Sequence, residues 1–263
     1  MCSVIILRRP DAPFPVVLGA NRDEMADRPW QPPGRHWPDR PNVVAGLDEL
    51  AGGSWLGLND EGVVAAILNR TGTLGPQAGK RSRGELVLEA LDHADAADAA
   101  MALAQLDTRA YRPFNLLVAD NRDAYVIMHR GDTPRHRPEV ATIGEGLHML
   151  TAVDLDDPAD PRVRLYLPLF RAAPPPDPAP AGGGAADWGG WPDLLGSRIW
   201  EGDSARGAMD FRLPTGFGTT SSALVALPSA ERPDMPPVWH FAAGRPHEAP
   251  WRPVGPVGIT RSG

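Results

Sequence analysis

Short apolar runs broken by polar turns dominate the first 70 residues and predict strands over Cys2–Arg9, Pro15–Asp23, Gly53–Asn59 and Gly62–Asn69. Asn59-Asp60-Glu61-Gly62 is a turn sequence, so the last two form a hairpin. Residues 29–41, rich in proline and tryptophan, are read as a loop without regular structure. Ser82 with Glu85 fits a capping box opening a helix through about Ala90, and alanine-rich Asp95–Leu106 reads as a second helix. Phe114–Asp120 and Ala124–Arg130 make another hairpin around Asp120-Asn121-Arg122-Asp123, and Glu139–Val153 continues as β-structure. A helix follows over Arg162–Ala172, with Leu165 and Leu169 on its apolar face. A Pro/Gly-rich loop covers about 173–187, Trp191–Trp200 is a short helix, and Phe217–Leu227 and Val238–Ala243 are late strands. From about residue 253 the chain reads as a tail. There is no internal repeat, and the order of elements suits one layered α+β domain over 1–263.

The second apolar run, Val16-Val17-Leu18-Gly19-Ala20, ends in Asn21-Arg22-Asp23-Glu24. Side chains alternate along a strand, so Asn21 and Asp23 share one face and Arg22 and Glu24 the other. An antiparallel pairing with the first strand puts Cys2 beside this cluster. Loss of Met1 would then leave Cys2 with a thiol and a free α-amine.

Composition narrows the function classes. A net charge of -7 with scattered basic residues argues against nucleic acid or an anionic membrane as partner. The single cysteine rules out an internal disulfide and suits a reducing, cytoplasmic compartment. No run approaches 18 apolar residues, so stable membrane insertion is not expected. The seven histidines show no metal-ligand spacing, and neither a haem-attachment motif nor a phosphate-binding glycine motif is present. No cofactor is expected.

Five ordered blocks, in a match that runs from Cys2 to about Leu150, carry a resemblance: "GANRDE", "RPW", "GGSWLGLNDEGVVAAILN", "SRGELV" and "RPFNLLVAD". Together they resemble the NRDE family of transport-and-Golgi-organisation proteins and their bacterial relatives. The resemblance implies an N-terminal nucleophile (Ntn) hydrolase fold, with four layers in αββα order. The family is associated with haem movement and lipid metabolism rather than with a settled reaction.

Under that resemblance Cys2 is the nucleophile and its own amine the base. The two titrate near each other, at about 8.5 and about 7.7–8, so proton exchange between them is cheap. The plain alternative is a buried cysteine that merely starts a strand. Asp23 would orient the amine, as an aspartate does in similar bile-salt hydrolases and penicillin V acylases; otherwise it is a strand-end ion pair or cap. Arg22 would add charge if its side chain turns inward. Asn69 matches an asparagine that helps form the oxyanion hole in the bile-salt hydrolase group, and otherwise caps a turn. His148 and Trp55 are the candidates for ligand contact, against ordinary packing.

The chain departs from the family pattern in two places. Where the family continues Leu-Ser-Asn and later Pro-Trp-x-Lys, this chain has Leu150-Thr151-Ala152 and then "DLDDPADPR". Where the family has Gly-Thr-Arg, it has Gly218-Thr219-Thr220. The chain therefore reads as an N-terminal-cysteine protein acting on amide-like carbon–nitrogen bonds, by hydrolysis or acyl transfer, with an altered site. The alternative is a non-catalytic carrier of haem or an acyl lipid. The partner is a small amide under the first reading and an amphipathic ligand under the second.

Overall fold

The computed structural model describes residues 2–131, 135–179, 185–232 and 234–255 and divides into two compact units. One contains the chain up to Arg28, Glu145–Thr151 and Leu155–Val254; the other contains Pro29–Gly144 and Ala152–Asp154.

The first unit is a six-stranded antiparallel sheet with helices on one face. Its strands are β1 (Ser3–Arg8), β2 (Val16–Met25), β10 (Gly146–Leu150), β11 (Phe217–Leu227), β12 (Val238–Ala242) and β13 (Trp251–Pro253). Their spatial order is β10-β1-β2-β11-β12-β13. Ile5, Leu7, Val17, Met149, Leu224 and Ala226 point to the helical side and pack on α3 (Pro161–Ala172) and α4 (Trp191–Leu195). Asp160 caps α3 by accepting the Arg162 amide at 2.8 Å, and Pro161 occupies the first turn, where a missing N–H costs nothing. The buried stripe of α3 is Arg162, Val163, Tyr166, Leu167 and Phe170. Of the expected Leu165/Leu169 face, Leu165 is half-buried against this core, whereas Leu169 is 43% exposed. An arginine, absent from an apolar count, sets the stripe.

The second unit is a seven-stranded antiparallel sheet in the order β3-β4-β5-β6-β7-β8-β9. Its strands are β3 (Trp30–Gly34), β4 (Val43–Asp48), β5 (Leu56–Asn59), β6 (Val64–Asn69), β7 (Phe114–Ala119), β8 (Ala124–His129) and β9 (Glu139–Thr142). One face buries Val43, Ala45, Ala65, Leu116 and Ile127 against α1 (Glu85–Leu91) and α2 (Ala96–Leu103). Both expected hairpins form. Asn59 organises the first: its Oδ1 accepts from Val63 N at 2.8 Å, and its Nδ2 donates to the carbonyls of Leu91 and His93. Asp120 organises the second, accepting from the amides of Arg122 and Asp123, and its other oxygen takes the Ala96 amide at the start of α2.

Three expectations about this region need correcting. Residues 30–34 form a strand despite Pro32 and Pro33, because β3 lies at the sheet edge and its pairing with β4 breaks register between Gln31 and Gly34. Glu85 opens α1, but Gly84 occupies the cap position; the Ser82 hydroxyl accepts only the Gly84 amide. The β-stretch 139–153 is two strands: β9 pairs with β8, and β10 pairs with β1 in the other unit's sheet. Among the described residues no helix is long and apolar enough to cross a membrane. Part of the 173–187 segment and most of the tail lie outside the described residues.

Candidate active site

Strand pairing brings Cys2 to the polar end of β2. Ser3 faces Asn21 across the β1–β2 ladder, and the Asp23 amide donates to Cys2 Sγ at 3.4 Å. Cys2 Sγ in turn lies 3.8 Å from the Asp23 carbonyl oxygen. Cys2, Arg22 and Asp23 are thus assembled at one sheet end, as the sequence implied.

Alternation divides the cluster between the two faces. Asn21 points to the helical side, donating to the carbonyls of Leu195 and Met209 at 2.9 Å and accepting from Ser222 at 2.6 Å. The Asp23 carboxylate lies on that side too. Its Oδ1 accepts from Thr219 Oγ1 at 2.8 Å and its Oδ2 from Arg162 Nη1 at 3.0 Å. Arg22 stays on the other face: its Nη1 donates to Thr220 Oγ1 at 3.4 Å, and that hydroxyl donates to the Arg22 carbonyl. A bulge is present, but in β11. Asp23 faces Thr219 and Arg22 faces Ser221, so Thr220 is the extra residue.

The surroundings of Cys2 raise its thiol above the ordinary value. Burial pushes the Cys2 thiol up, and the Asp23 carboxylate pushes it the same way. The hydrogen bond from the Asp23 amide and the Arg22 guanidinium pull it down without cancelling the rise. A thiol in this position needs a base within reach before it can attack.

The remaining candidates lie elsewhere. His148 is on β10 opposite Ile6, four residues along from Cys2 and so roughly 13 Å away at ~3.3 Å per residue. Its Nδ1 pairs with Asp156 at 2.6 Å and its Nε2 lies 3.3 Å from the Glu145 carbonyl, so both ring nitrogens are engaged. Asn69 and Trp55 belong to the second unit. Asn69 is half-buried at the end of β6, opposite Phe114. Trp55 packs edge-on against Trp30 at 5.7 Å and lies so close over Gly46 that a Cβ there would meet its ring at 2.4 Å. Ala152, where the family carries an asparagine, is buried and offers its carbonyl to Thr71 N at 3.0 Å. Among the described residues no group of histidine, cysteine and carboxylate side chains is placed to hold a metal ion.

The His148–Asp156 clasp makes a pH-dependent contribution to stability. The Asp156 hydrogen bond raises the His148 pKa against the opposing effect of burial. Burial works against Asp156 ionising, yet the bonds from His148 and the Met149 amide bring its pKa below the usual value. Stabilisation from the raised histidine is complete below its unfolded value, about 6.5, and is lost as pH rises through the folded one. Stabilisation from the lowered carboxylate is complete above about 3.9 and is lost as pH falls through its folded value. The clasp is therefore strongest between these limits. His148→Gln is expected to lower the urea midpoint more at pH 5 than at pH 8.5; an equal loss at both would show that the pair carries no charge.

Sequence reasoning missed Arg162. Its guanidinium is 1% exposed, donates to Asp23 and to Ser3 Oγ at 2.7 Å, reaches the Arg206 carbonyl at 2.7 Å, and lies over the Phe211 ring. A signal was present: "DLDDPADPR" ends in this residue, where the family's Pro-Trp-x-Lys also ends in a cation. An arginine in the first turn of a helix, against the helix dipole, is a second sign that it serves a carboxylate elsewhere.

Two antiparallel sheets, each with helices on one face, and a cysteine at the start of a central strand define an α+β fold of the Ntn-hydrolase class. Solved structures agree. An N-acylethanolamine-hydrolyzing acid amidase ortholog of Caenorhabditis elegans matches with a TM-score of 0.52 at 13% identity, over 85% of this chain and 92% of that one. A variant of conjugated bile acid hydrolase from Clostridium perfringens matches at 0.50 with 12% identity, over 92% and 89%. Identities this low show the fold alone. The family model of Transport and Golgi organisation 2 matches residues 1–166, and the chain belongs to that family. The human Transport and Golgi organization protein 2 homolog is 31% identical over 152 residues, 55% of this chain and 53% of that protein. The mouse homolog is 30% identical over 154 residues, with the same coverage of 55% and 53%. The chain thus spans about half the length of the curated relatives it matches.

Proposed function

We propose that this chain, once Met1 is removed, acts on amide-like carbon–nitrogen bonds through Cys2. The observation that carries this reading is the sulfur held against the Asp23 main chain, at the end of two central strands. Cys2 passes its thiol proton to its own freed α-amine. The thiolate adds to the amide carbon, the carbon–nitrogen bond breaks, and the amine leaves with that proton as a thioester remains on sulfur. Water then releases the acid, or a second nucleophile takes the acyl group. Arg22 supplies positive charge on the sulfur's face. Two fold neighbours bear the names of hydrolases, an N-acylethanolamine-hydrolyzing acid amidase and a conjugated bile acid hydrolase, and the first supports a small amide as substrate. The lone cysteine supports a cytoplasmic setting.

One observation favours the carrier reading, in which the same site holds an acyl lipid or haem without turnover. Thr220 stands where the family has an arginine, a cation close to the nucleophile on which hydrolysis at such a site would rely. Intact mass separates the two. The processed chain, incubated with long-chain N-acyl amides, is expected to gain one acyl mass, and Cys2→Ala to gain none. Absence of both an adduct and released acid or amine, in a chain shown by mass to lack Met1, would sink the enzyme reading. Saturable binding of the same amides or of haem without an adduct would then establish the carrier.

A further inference from the structure

We infer that Arg162 is the positioning residue of the Cys2 site, clamping the Asp23 carboxylate and the Ser3 hydroxyl in one geometry from the first turn of α3. The inference rests on the reading that Cys2 is the reacting group, and it adds a residue that the strand motif does not contain.

Arg162 Nη1 meets Ser3 Oγ at 2.7 Å and Asp23 Oδ2 at 3.0 Å. Ser3 is the neighbour of Cys2 in the chain, and Asp23 presents its amide to the sulfur. One nitrogen therefore touches both residues that fix where the thiol lies. The other terminal nitrogen and the guanidinium face are held as well. Nη2 donates to the Arg206 carbonyl at 2.7 Å, and the guanidinium carbon lies 5.4 Å from the Phe211 ring centre. The backbone is tied as well: Asp160 accepts the Arg162 amide through Oδ1 and the Thr151 hydroxyl through Oδ2, joining α3 to the end of β10. Thr219 closes the arrangement by donating to Asp23 Oδ1.

A core that needed only volume here would be served as well by an apolar side chain, since buried ion pairs seldom improve on one. A cation at the positive end of a helix dipole is unfavourable for the helix itself. Neither packing nor helix stability accounts for Arg162, whereas compensating the buried Asp23 charge beside a thiol does. Asp23 is the charged group that pushes the Cys2 thiol up. Arg162 limits that push by neutralising the carboxylate and by holding it on the helical face.

The test is the pH profile of Cys2 alkylation by iodoacetamide, measured on the Met1-retaining chain so that no turnover is required. Cys2 is the only cysteine, so labelling reports it alone. Arg162→Met is expected to move the midpoint up by about one pH unit, as Asp23 loses its compensating charge. Arg162→Lys is expected to recover at least half of that shift, because an ammonium can still pair with Asp23. The double variant Asp23→Asn/Arg162→Met is expected at or below the midpoint of the unsubstituted chain. An unchanged midpoint in folded Arg162→Met overturns the inference. If that variant does not fold, a midpoint in the double variant above that of the unsubstituted chain overturns it instead, because no carboxylate is then left to push the thiol up. A chain that forms no acyl adduct but shows these shifts would lose the amide-cleaving reading and keep Arg162 as the residue that sets the thiol.

Discussion

Asp23→Ala is expected to destabilise the chain by about 3–5 kcal/mol, the range for breaking a buried ion pair from one side. The Arg162 guanidinium is 1% exposed and the Asp23 carboxylate 0%, so removing the carboxylate strands a cation that water cannot reach. Thr219 Oγ1 and one Ser3–Arg162 arrangement would be disturbed at the same time. Replacing both members with neutral groups of similar size, as in Asp23→Asn/Arg162→Met, is expected to cost much less than the sum of the single losses. Urea unfolding of the unsubstituted chain, Asp23→Asn, Arg162→Met and the double variant gives the coupling directly. Independent, additive losses would show that the two groups do not act as a pair. The motif aspartate would then be structural in its main-chain contacts only.

Trp191→Ala carries the second large effect, an expected loss of about 3–5 kcal/mol. Trp191 is fully buried in α4, edge-on to Phe170 at 5.4 Å, and a Cβ on Gly19 would come within 3.0 Å of its ring. That contact is why β2 carries a glycine two residues before Asn21: the indole needs the space. The cavity left by alanine would sit under the strand that delivers Asn21, Arg22 and Asp23. Trp191→Phe should cost far less, since it keeps most of the ring and removes an indole N–H that finds no acceptor among the described residues. A small loss for alanine would mean that α4 can collapse onto the sheet, and a large loss for phenylalanine that the N–H has a partner after all.

Strand positions were legible because the evidence for them is local. Phe217–Leu227 is a strand with the bounds its apolar pattern implied, and both hairpins formed around their Asn/Asp turns. Proline rules misled at Trp30–Gly34, where the cost of a missing N–H vanishes at a sheet edge. Whether a strand lies at an edge is not a property of its own residues. The same limit explains 139–153: one β-like stretch serves two sheets, and only the partners, β8 and β1, divide it.

The candidate site divides along the same line. From the sequence alone came the family, the polar end of β2, the alternation that separates Asp23 from Arg22, and the antiparallel return that brings Cys2 to Asp23. All of these follow from period-two geometry and from motif order. Tertiary structure alone decided what each charge meets. It placed the register break of β11 at Thr220, leaving Arg22 on its own face, and it engaged both ring nitrogens of His148. It also brought Arg162 across 139 residues of chain to Asp23. A buried charge needs a partner, but electrostatics fixes only that need; which residue answers it is set by helix packing, and packing is a property of the whole fold rather than of any segment.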